Sequence, residues 1–349
     1  MSDMRDSEFF GHVTALAPGK VNLSLRVGPL RDDGYHDVAT LYFAVSLYEE
    51  VTAAPRDDGA ITVSLSHRSA FTSVDHKDPQ SGRTLTAEVP LDSNNIAYRA
   101  AELLRQTLQQ RQASVLSFPA NSSEVSSSEA PGPSGGVDLT ITKNVPIAGG
   151  MGGGSADAAA ALLACSALWE AGLTKDQLAE LGANLGADVP FSILGGAAVG
   201  QGAGEELSPL LTRGELHLVL VPASVGLSTP QVYQTLDTLR AEASITAEVP
   251  ELDADLVRAV CTSDTAQIAA LMGNELQAAA VHLTPDLEDM MDAGMAEGAL
   301  QGIVSGSGPT VMFLVHDAAA AVQLATRLEE STGVWAIPVT GPASGARLL

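Results

Sequence analysis

Five glycines fall within Gly149 to Gly154, in the run Pro146-Ile147-Ala148-Gly149-Gly150-Met151-Gly152-Gly153-Gly154-Ser155-Ala156, and an apolar helical pattern continues to Trp169. With so few side chains, a bulky anion can approach this backbone closely. The first N–H groups of the following helix have no acceptor inside it, and the helix dipole favours negative charge there. The chemistry on offer is a phosphate cradle. No Gly-Lys-Ser/Thr follows, so this is not a Walker loop, and a plain turn would use the same residues. Asp157, in the first helical turn, reads as a simple partner of the dipole.

Four further clusters bring polar groups into apolar surroundings. In Ala17-Pro18-Gly19-Lys20-Val21-Asn22, Lys20 and Asn22 project from the same face of a strand. Lys20 could meet phosphates, or serve as an edge lysine that blocks aggregation. Asp188, in Gly186-Ala187-Asp188-Val189-Pro190-Phe191, needs partners if buried. It reads as a cap or turn residue, or as a general base. Ser305-Gly306-Ser307-Gly308-Pro309-Thr310 is a hairpin connection or a second set of backbone donors. Asp33-Gly34-Tyr35-His36-Asp37 sets a ring and a hydrogen-bonding edge after a turn, as ordinary surface or as a reader of a planar base.

These residues need elements to hold them. Val21, Leu23, Leu25 and Val27 alternate with polar neighbours and predict a strand; Val38–Leu47 and Ile61–Leu65 continue the pattern. Residues 66 to 90 read as an irregular loop. Asn94 to Gln112 is an amphipathic helix with Ile96, Ala100, Leu103, Leu104 and Leu108 on one face. The Ser/Pro/Gly-rich stretch Asn121 to Gly136 reads as a flexible excursion, before a strand at Val137–Thr142. Thr174 and Gln177 form a capping box for another helix, which the segment Leu185 to Pro190 ends, and Ala197 to Gly200 is a short strand. The second half predicts strands at Leu216–Val221, Val311–Val315 and Val334–Val339. It also predicts a helix opened by Thr229-Pro230 and helices near 251–261, 264–273, 285–296 and 317–330. This mixture indicates an α+β fold in two domains, 1–205 and 206–349.

The chain has 349 residues and a net charge of −24, with lysines only at 20, 77, 143 and 175. A charge of this sign disfavours nucleic acid and anionic membrane surfaces as partners. Any nucleotide must therefore be held by local geometry. The polar N-terminus, Met1 to Gly11, lacks the pattern of a signal peptide, and the apolar run 158–169 is too short to span a bilayer, so the expectation is a soluble, cytoplasmic protein. Cys165 and Cys261 fit no metal or redox spacing and read as buried thiols.

The clusters occur in an order that resembles the GHMP kinases. These show an early Pro-x-Lys-x-Asn strand (here Pro18 to Asn22), a central glycine-rich loop before a helix (Pro146 to Ser155) and a late Gly-x-Gly loop (Gly306 to Gly308). More specific marks are Ala-Pro-Gly-Lys-Val-Asn-Leu at 17–23, Arg-Asp-Asp-Gly-Tyr-His at 31–36, Gly-Gly-Gly-Ser-Ala-Asp-Ala-Ala at 152–159, Leu-Gly-Ala-Asp-Val-Pro-Phe at 185–191 and Ser-Gly-Ser-Gly-Pro-Thr at 305–310. They resemble the branch that phosphorylates the 2-hydroxyl of 4-diphosphocytidyl-2-C-methyl-D-erythritol in non-mevalonate isoprenoid precursor synthesis. Departures are the N-terminal extension, polar insertions near 66–85 and 113–136, and Met151 where many relatives have Leu.

The resemblance implies a two-domain α+β fold: an N-terminal ribosomal-protein-like α/β domain with a left-handed crossover and a C-terminal ferredoxin-like domain, with ATP and substrate meeting between them. It implies Lys20 and Asp188 as the catalytic pair, and Pro146 through Ala156 as the ATP loop. It also implies a small cytidine diphosphate alcohol as substrate, with Asn22, Tyr35, His36, Thr229 and Tyr233 holding it. ATP and Mg²⁺ are the implied cofactors, with Ser155 the candidate Mg²⁺ contact. Alternatives are a kinase of the same fold acting on homoserine or mevalonate, or a non-catalytic nucleotide-binding regulator, which should have lost its lysine or aspartate.

Overall fold

The computed structural model describes residues 11–77, 84–116 and 135–349. The N-terminal extension and most of the Ser/Pro/Gly-rich stretch lie outside these residues.

The chain opens with two long strands, β1 (Val13–Leu30) and β2 (His36–Arg56). Between them the expected turn is present, with Gly34 at φ 85°, a backbone region glycine enters without steric cost. β3 (Ile61–Leu65), β4 (Ser73–Lys77), β5 (Thr84–Glu88), helix α1 (Ile96–Leu116) and β6 (Gly136–Thr142) follow. Next come α2 (Gly153–Leu168), α3 (Lys175–Gly182), α4 (Val189–Leu194), β7 (Ala197–Gln201) and β8 (Glu206–Leu210). The remainder is β9 (Leu216–Val221), β10 (Val225–Gly226), α5 (Thr229–Glu242), α6 (Ala254–Thr262), α7 (Thr265–Leu271), β11 (Gly273–Asn274), α8 (Gln277–Leu283), α9 (Asp286–Ala296), β12 (Gln301–Val304), β13 (Val311–Val315), α10 (Ala318–Thr332), β14 (Ile337–Gly341) and β15 (Arg347–Leu348).

The first sheet runs β11-β1-β2-β6-β3, with β7 also on β2, β8 on β7 and β15 on β1. The second sheet, β12-β13-β9-β14, is antiparallel throughout. The division after residue 205 falls between β7 and β8, which pair with each other; the change of sheet follows Leu210. The mixture of helices and sheets is the α+β arrangement.

Helix α2 is buried nearly all round, with Ala156, Ala158 to Ala161, Leu162, Ala164 and Cys165 in one core with α1, β6 and β3. Alanines let it lie close to β1, β2 and α1 at once, as suits a helix apolar on every side. Burial pushes the Cys165 thiol up to about 12, so it is an inert packing group; Cys261 is only half-buried. A second core joins the two sheets: Val21, Leu23, Leu41, Phe43 and Val45 pack with Leu216, Leu218, Leu220, Met312, Leu314 and Val339. The approach is close enough that a Cβ on Gly341 would lie 2.3 Å from Phe43. Among the described residues, no helix is long and apolar enough to cross a membrane.

Three local expectations need correction. Residues 66 to 90 are not an irregular loop, because β4 and β5 pair antiparallel there and β10 adds to β4 in parallel. The strands escape a hydrophobic reading because Ser73, Thr86 and Glu88 are polar and exposed. Val189-Pro190 does not merely end a helix; it begins α4, with Pro190 in the first turn, where its missing N–H is harmless. α8 was not anticipated, being only seven residues long. The capping box at Thr174 and Gln177 is present as expected.

Candidate active site

Lys20 lies on β1 between two irregularities of the β1–β2 ladder, at Pro18/Lys20 and Asn22/Ser24. Bulges of this kind re-aim side chains next to functional sites. The Lys20 N–H donates to Met151 O at 2.9 Å, tying the strand to the glycine loop. Its ammonium is nearly buried; it donates to Asn22 Oδ1 at 2.9 Å and lies 3.4 Å from Asp188 Oδ2. Asn22 in turn donates to Thr40 Oγ1 at 2.6 Å, and Thr40 donates to Ser24 O at 2.8 Å. This chain of bonds orients the Asn22 amide so that its oxygen faces the lysine.

Asp188 occupies the N-cap position of α4, yet its side chain makes no capping bond and is 26% exposed. The carboxylate is therefore not spent on the helix and stays available to Lys20 and to the cleft. Tyr42 lies beneath the pair: Lys20 Nζ is 5.4 Å from its ring centroid and Phe191 stacks on it at 5.1 Å. Burial pushes the Tyr42 phenol well up, and the neighbouring Asp188 charge adds to this. Tyr233 is pushed up to about 12 by burial, again with Asp188 adding. Both phenols stay protonated and can only donate to or accept from a ligand as neutral groups.

The glycine loop turns through left-handed backbone at Ala148 (φ 51°), Gly150 (φ 73°) and Gly152 (φ 67°). Gly150 has no room for a side chain, since a Cβ would sit 2.2 Å from Ser305 O. Gly152 is the N-cap of α2 and has no side chain to cap it, so the helix presents its first N–H groups to the cleft. Met151 is buried in the inter-sheet core and anchors the loop. Ser155 and Ala156 fall in the first turn of α2, with Ala156 fully buried.

The 305–310 loop packs against this turn from the second half. A Cβ on Gly306 would be 3.1 Å from Asn22 Oδ1 and 3.5 Å from Lys20 Nζ. Ser307 Oγ is 2.8 Å from Thr229 Oγ1 at the start of α5. Together these residues line a cleft of about 580 Å³ that contains Lys20, Asn22, Tyr42, Pro146 through Gly154, Asp188, Thr229 and Tyr233. His36 is buried beside it, its ring stacked on Tyr233 at 5.1 Å and its Nε2 3.0 Å from Asp237 Oδ1. Tyr35 does not join them; it is 66% exposed on the β1–β2 turn.

Sequence reasoning missed a second buried group. Lys143 Nζ donates to Glu49 Oε1 at 2.5 Å and to Asp157 Oδ2 at 2.7 Å, and Glu49 Oε2 accepts from the Asn144 N–H at 2.8 Å. Asp157 is thus not a simple dipole partner in the first turn of the helix, but a buried partner of Lys143. α2 has no exposed side at that position, so a carboxylate there must find a cation inside. Burial, then the Asp157 charge, pushes Glu49 up to about 8, and burial pushes Asp157 up. Burial alone would lower Lys143, but Asp157 and Glu49 outweigh it and hold its pKa up. The Asp157 Oδ1 atom has no hydrogen-bond partner among the described residues. The one signal in the sequence was Lys143, one of four lysines, a few residues ahead of the glycine run. The group braces the base of the loop, since Glu49 also accepts from Val145 N–H.

Comparison with known proteins was consistent with this geometry. The model of the GHMP kinases N terminal domain matches residues 95–196, and that of the GHMP kinases C terminal matches residues 256–333. The chain is 48% identical to the 4-diphosphocytidyl-2-C-methyl-D-erythritol kinase of Pseudarthrobacter chlorophenolicus over 97% of this chain and 95% of that one. It is 44% identical to the Thermobifida fusca protein of the same name, over 97% and 98%. A crystal structure of 4-(cytidine 5'-diphospho)-2C-methyl-D-erythritol kinase superposes with TM-score 0.66 at 29% identity, covering 94% of this chain and 98% of that one. Homoserine kinase from Cytophaga hutchinsonii shares the fold at TM-score 0.64 and 17% identity, covering 99% of this chain and 100% of that one. With near-complete coverage by relatives of one name, and a cleft that pairs a lysine and an aspartate beside an uncapped glycine turn, the chain belongs to the 4-diphosphocytidyl-2-C-methyl-D-erythritol kinases of the GHMP kinase family.

Proposed function

We propose that the cleft moves the γ-phosphoryl group of ATP to the 2-hydroxyl of 4-diphosphocytidyl-2-C-methyl-D-erythritol, giving the 2-phosphate and ADP. The observation that carries this reading is the 3.4 Å approach of Lys20 Nζ to Asp188 Oδ2 beside Gly152, at the open head of α2. Asp188 takes the hydroxyl proton as the oxygen attacks the γ-phosphorus. The bond from that phosphorus to the β,γ-bridging oxygen breaks, and ADP leaves with the oxygen. Lys20, held by Asn22, spreads positive charge between the carboxylate and the phosphates. Phosphoryl transfer is governed mainly by position and electrostatics, so few groups suffice.

The loop fits a nucleotide's phosphates: it is bare of side chains, turns twice through left-handed glycines and ends on free helix N–H groups. The net charge of −24 is overcome locally by these dipoles and by Lys20. For Mg²⁺, the described residues offer no cluster of three or more His, Cys, Asp or Glu side chains. That donor set suits an ion carried largely by phosphate oxygens and water. Ser155 is the protein group that would hold it, and the ion would supply charge neutralisation at the phosphates. His36 and Tyr233 face the cytosine and Thr229 steadies the substrate end of α5, whereas Tyr35, exposed on the β1–β2 turn, is not part of this arrangement.

The test is phosphoryl transfer from ATP to the cytidine diphosphate alcohol, to homoserine and to mevalonate, followed by ADP release. Transfer to the first alone is expected; transfer to another, or tight ATP binding with no transfer, overturns the reading. Asp188→Asn should lower kcat by about 10² to 10⁴, and near wild-type turnover would remove Asp188 from the role of base.

A further inference from the structure

We infer that Asp237 is a positioning residue for base recognition: it holds the His36 ring in its Nε2–H tautomer and so sets the site's preference for cytosine. The inference rests on the reading of His36 as a contact of the cytidine.

His36 opens β2, in the first half of the chain, and its side chain is 4% exposed. A single helix from the second half holds this ring on two sides. Tyr233 lies on its face, centroids 5.1 Å apart and planes 29° from parallel. Asp237, four residues further along α5, meets its edge with Oδ1 3.0 Å from Nε2. Residues four apart share one face of a helix, so α5 forms a bracket around the ring.

An ionised carboxylate only accepts hydrogen bonds, so the ring nitrogen bonded to it must carry the proton. In the neutral ring this leaves Nδ1 bare, as an acceptor. A fixed acceptor favours the exocyclic amine of cytosine and opposes the carbonyl oxygen that uracil carries in its place. Without Asp237 either nitrogen could hold the proton, and the ring would present a donor as readily as an acceptor.

The bracket is well seated. Val232 and Leu236 of α5 pack against Leu25, Val27 and Val38. Arg240, in the last turn, donates to Val27 O at 2.8 Å and to Glu275 Oε2 at 3.0 Å. Asp237 itself is 37% exposed on its side chain and fills no core, so its replacement should leave α5 in place.

The experiment combines ¹⁵N-histidine NMR of the free protein with steady-state kinetics on the cytidine diphosphate alcohol and its uridine analogue. Wild type, Asp237→Ala and Asp237→Asn are compared. The wild type should show His36 as the Nε2–H tautomer, and Asp237→Ala a mixture. Loss of one oriented hydrogen bond should raise KM for the cytidine substrate about tenfold and narrow the preference over the uridine analogue, while kcat and KM for ATP hold. Asp237→Asn, which keeps an oxygen acceptor of the same size, should fall between. Three results overturn the inference: a wild-type Nδ1–H tautomer, unchanged KM and base preference in both variants, or equal damage to kcat and to KM for ATP, as a purely structural role would give. Failure of the wild type to use the cytidine alcohol would strike the proposed substrate instead, and the NMR comparison would still decide whether Asp237 sets the ring.

Discussion

The buried group at the base of the glycine loop should leave a signature in the pH dependence of folding. Glu49 and Asp157 face a single ammonium, Lys143, with side-chain exposures of 0%, 5% and 4%. Burial, with the Asp157 charge acting on Glu49, makes the pair retain one proton at neutral pH. Glu49 is pushed to about 8 from 4.5, and Asp157 moves in the same direction. In the unfolded chain both carboxyls ionise at ordinary values, so between about pH 4.5 and 8 folding takes up one proton. Below that window both states are protonated and the cluster costs nothing extra. Through it, stability falls as pH rises, by about 1.4 kcal/mol per pH unit for one proton. Above it, both states are ionised and the slope ends.

Glu49→Gln and Asp157→Asn each remove the titrating proton while keeping side-chain shape. Urea unfolding at three pH values inside the window, for wild type and both variants, measures the effect. Other titrating groups cancel in the difference. The variants should show curves flatter than wild type by about 1.4 kcal/mol per pH unit, and should match or exceed its stability at the alkaline end. Parallel curves for wild type and both variants would refute the reasoning.

Lys20→Met keeps the length of the stem and removes the charge beside Asp188. Turnover should fall by about 10² to 10³, the effect of losing one electrostatic contact in a phosphoryl or acyl transfer site, with the unfolding midpoint little changed. Gly150→Ala must move a Cβ that would otherwise sit 2.2 Å from Ser305 O, at φ 73°. It should cost about 1–3 kcal/mol in urea unfolding and raise KM for ATP, because the loop can yield only by leaving the 305–310 turn.

Much of this was readable because the residues stand out against their surroundings. Lys20 and Asp188 are lone charges in apolar stretches, and five glycines stand close together before one helix. The long hairpin, α1 and the second sheet follow from plain periodicity. What escaped reading depended on contacts between distant segments. Glu49 sits beside Glu50 on a strand, as a surface charge would, and only the fold turns it inward onto Lys143, 94 residues away. Asp157 was misread because the alternation that would reveal a buried helix face is absent when every face is buried. The β4–β5 hairpin is polar on the sides that face water, and its partner β10 is two residues long, too short to announce itself. Asp237 is an ordinary helical aspartate until the first half of the chain delivers a histidine to it.

The apolar seam between the two sheets limits how the enzyme can breathe. Swinging the halves apart would hydrate Leu23, Phe43, Leu218, Leu220, Met312 and Leu314, all fully buried. At about 1.5–3 kcal/mol for each side chain, the bill rivals the roughly 5–15 kcal/mol that holds a whole domain folded. Jaw-like opening about this seam is therefore costly for this protein. Ligands must therefore enter the cleft while the two sheets stay packed along this seam.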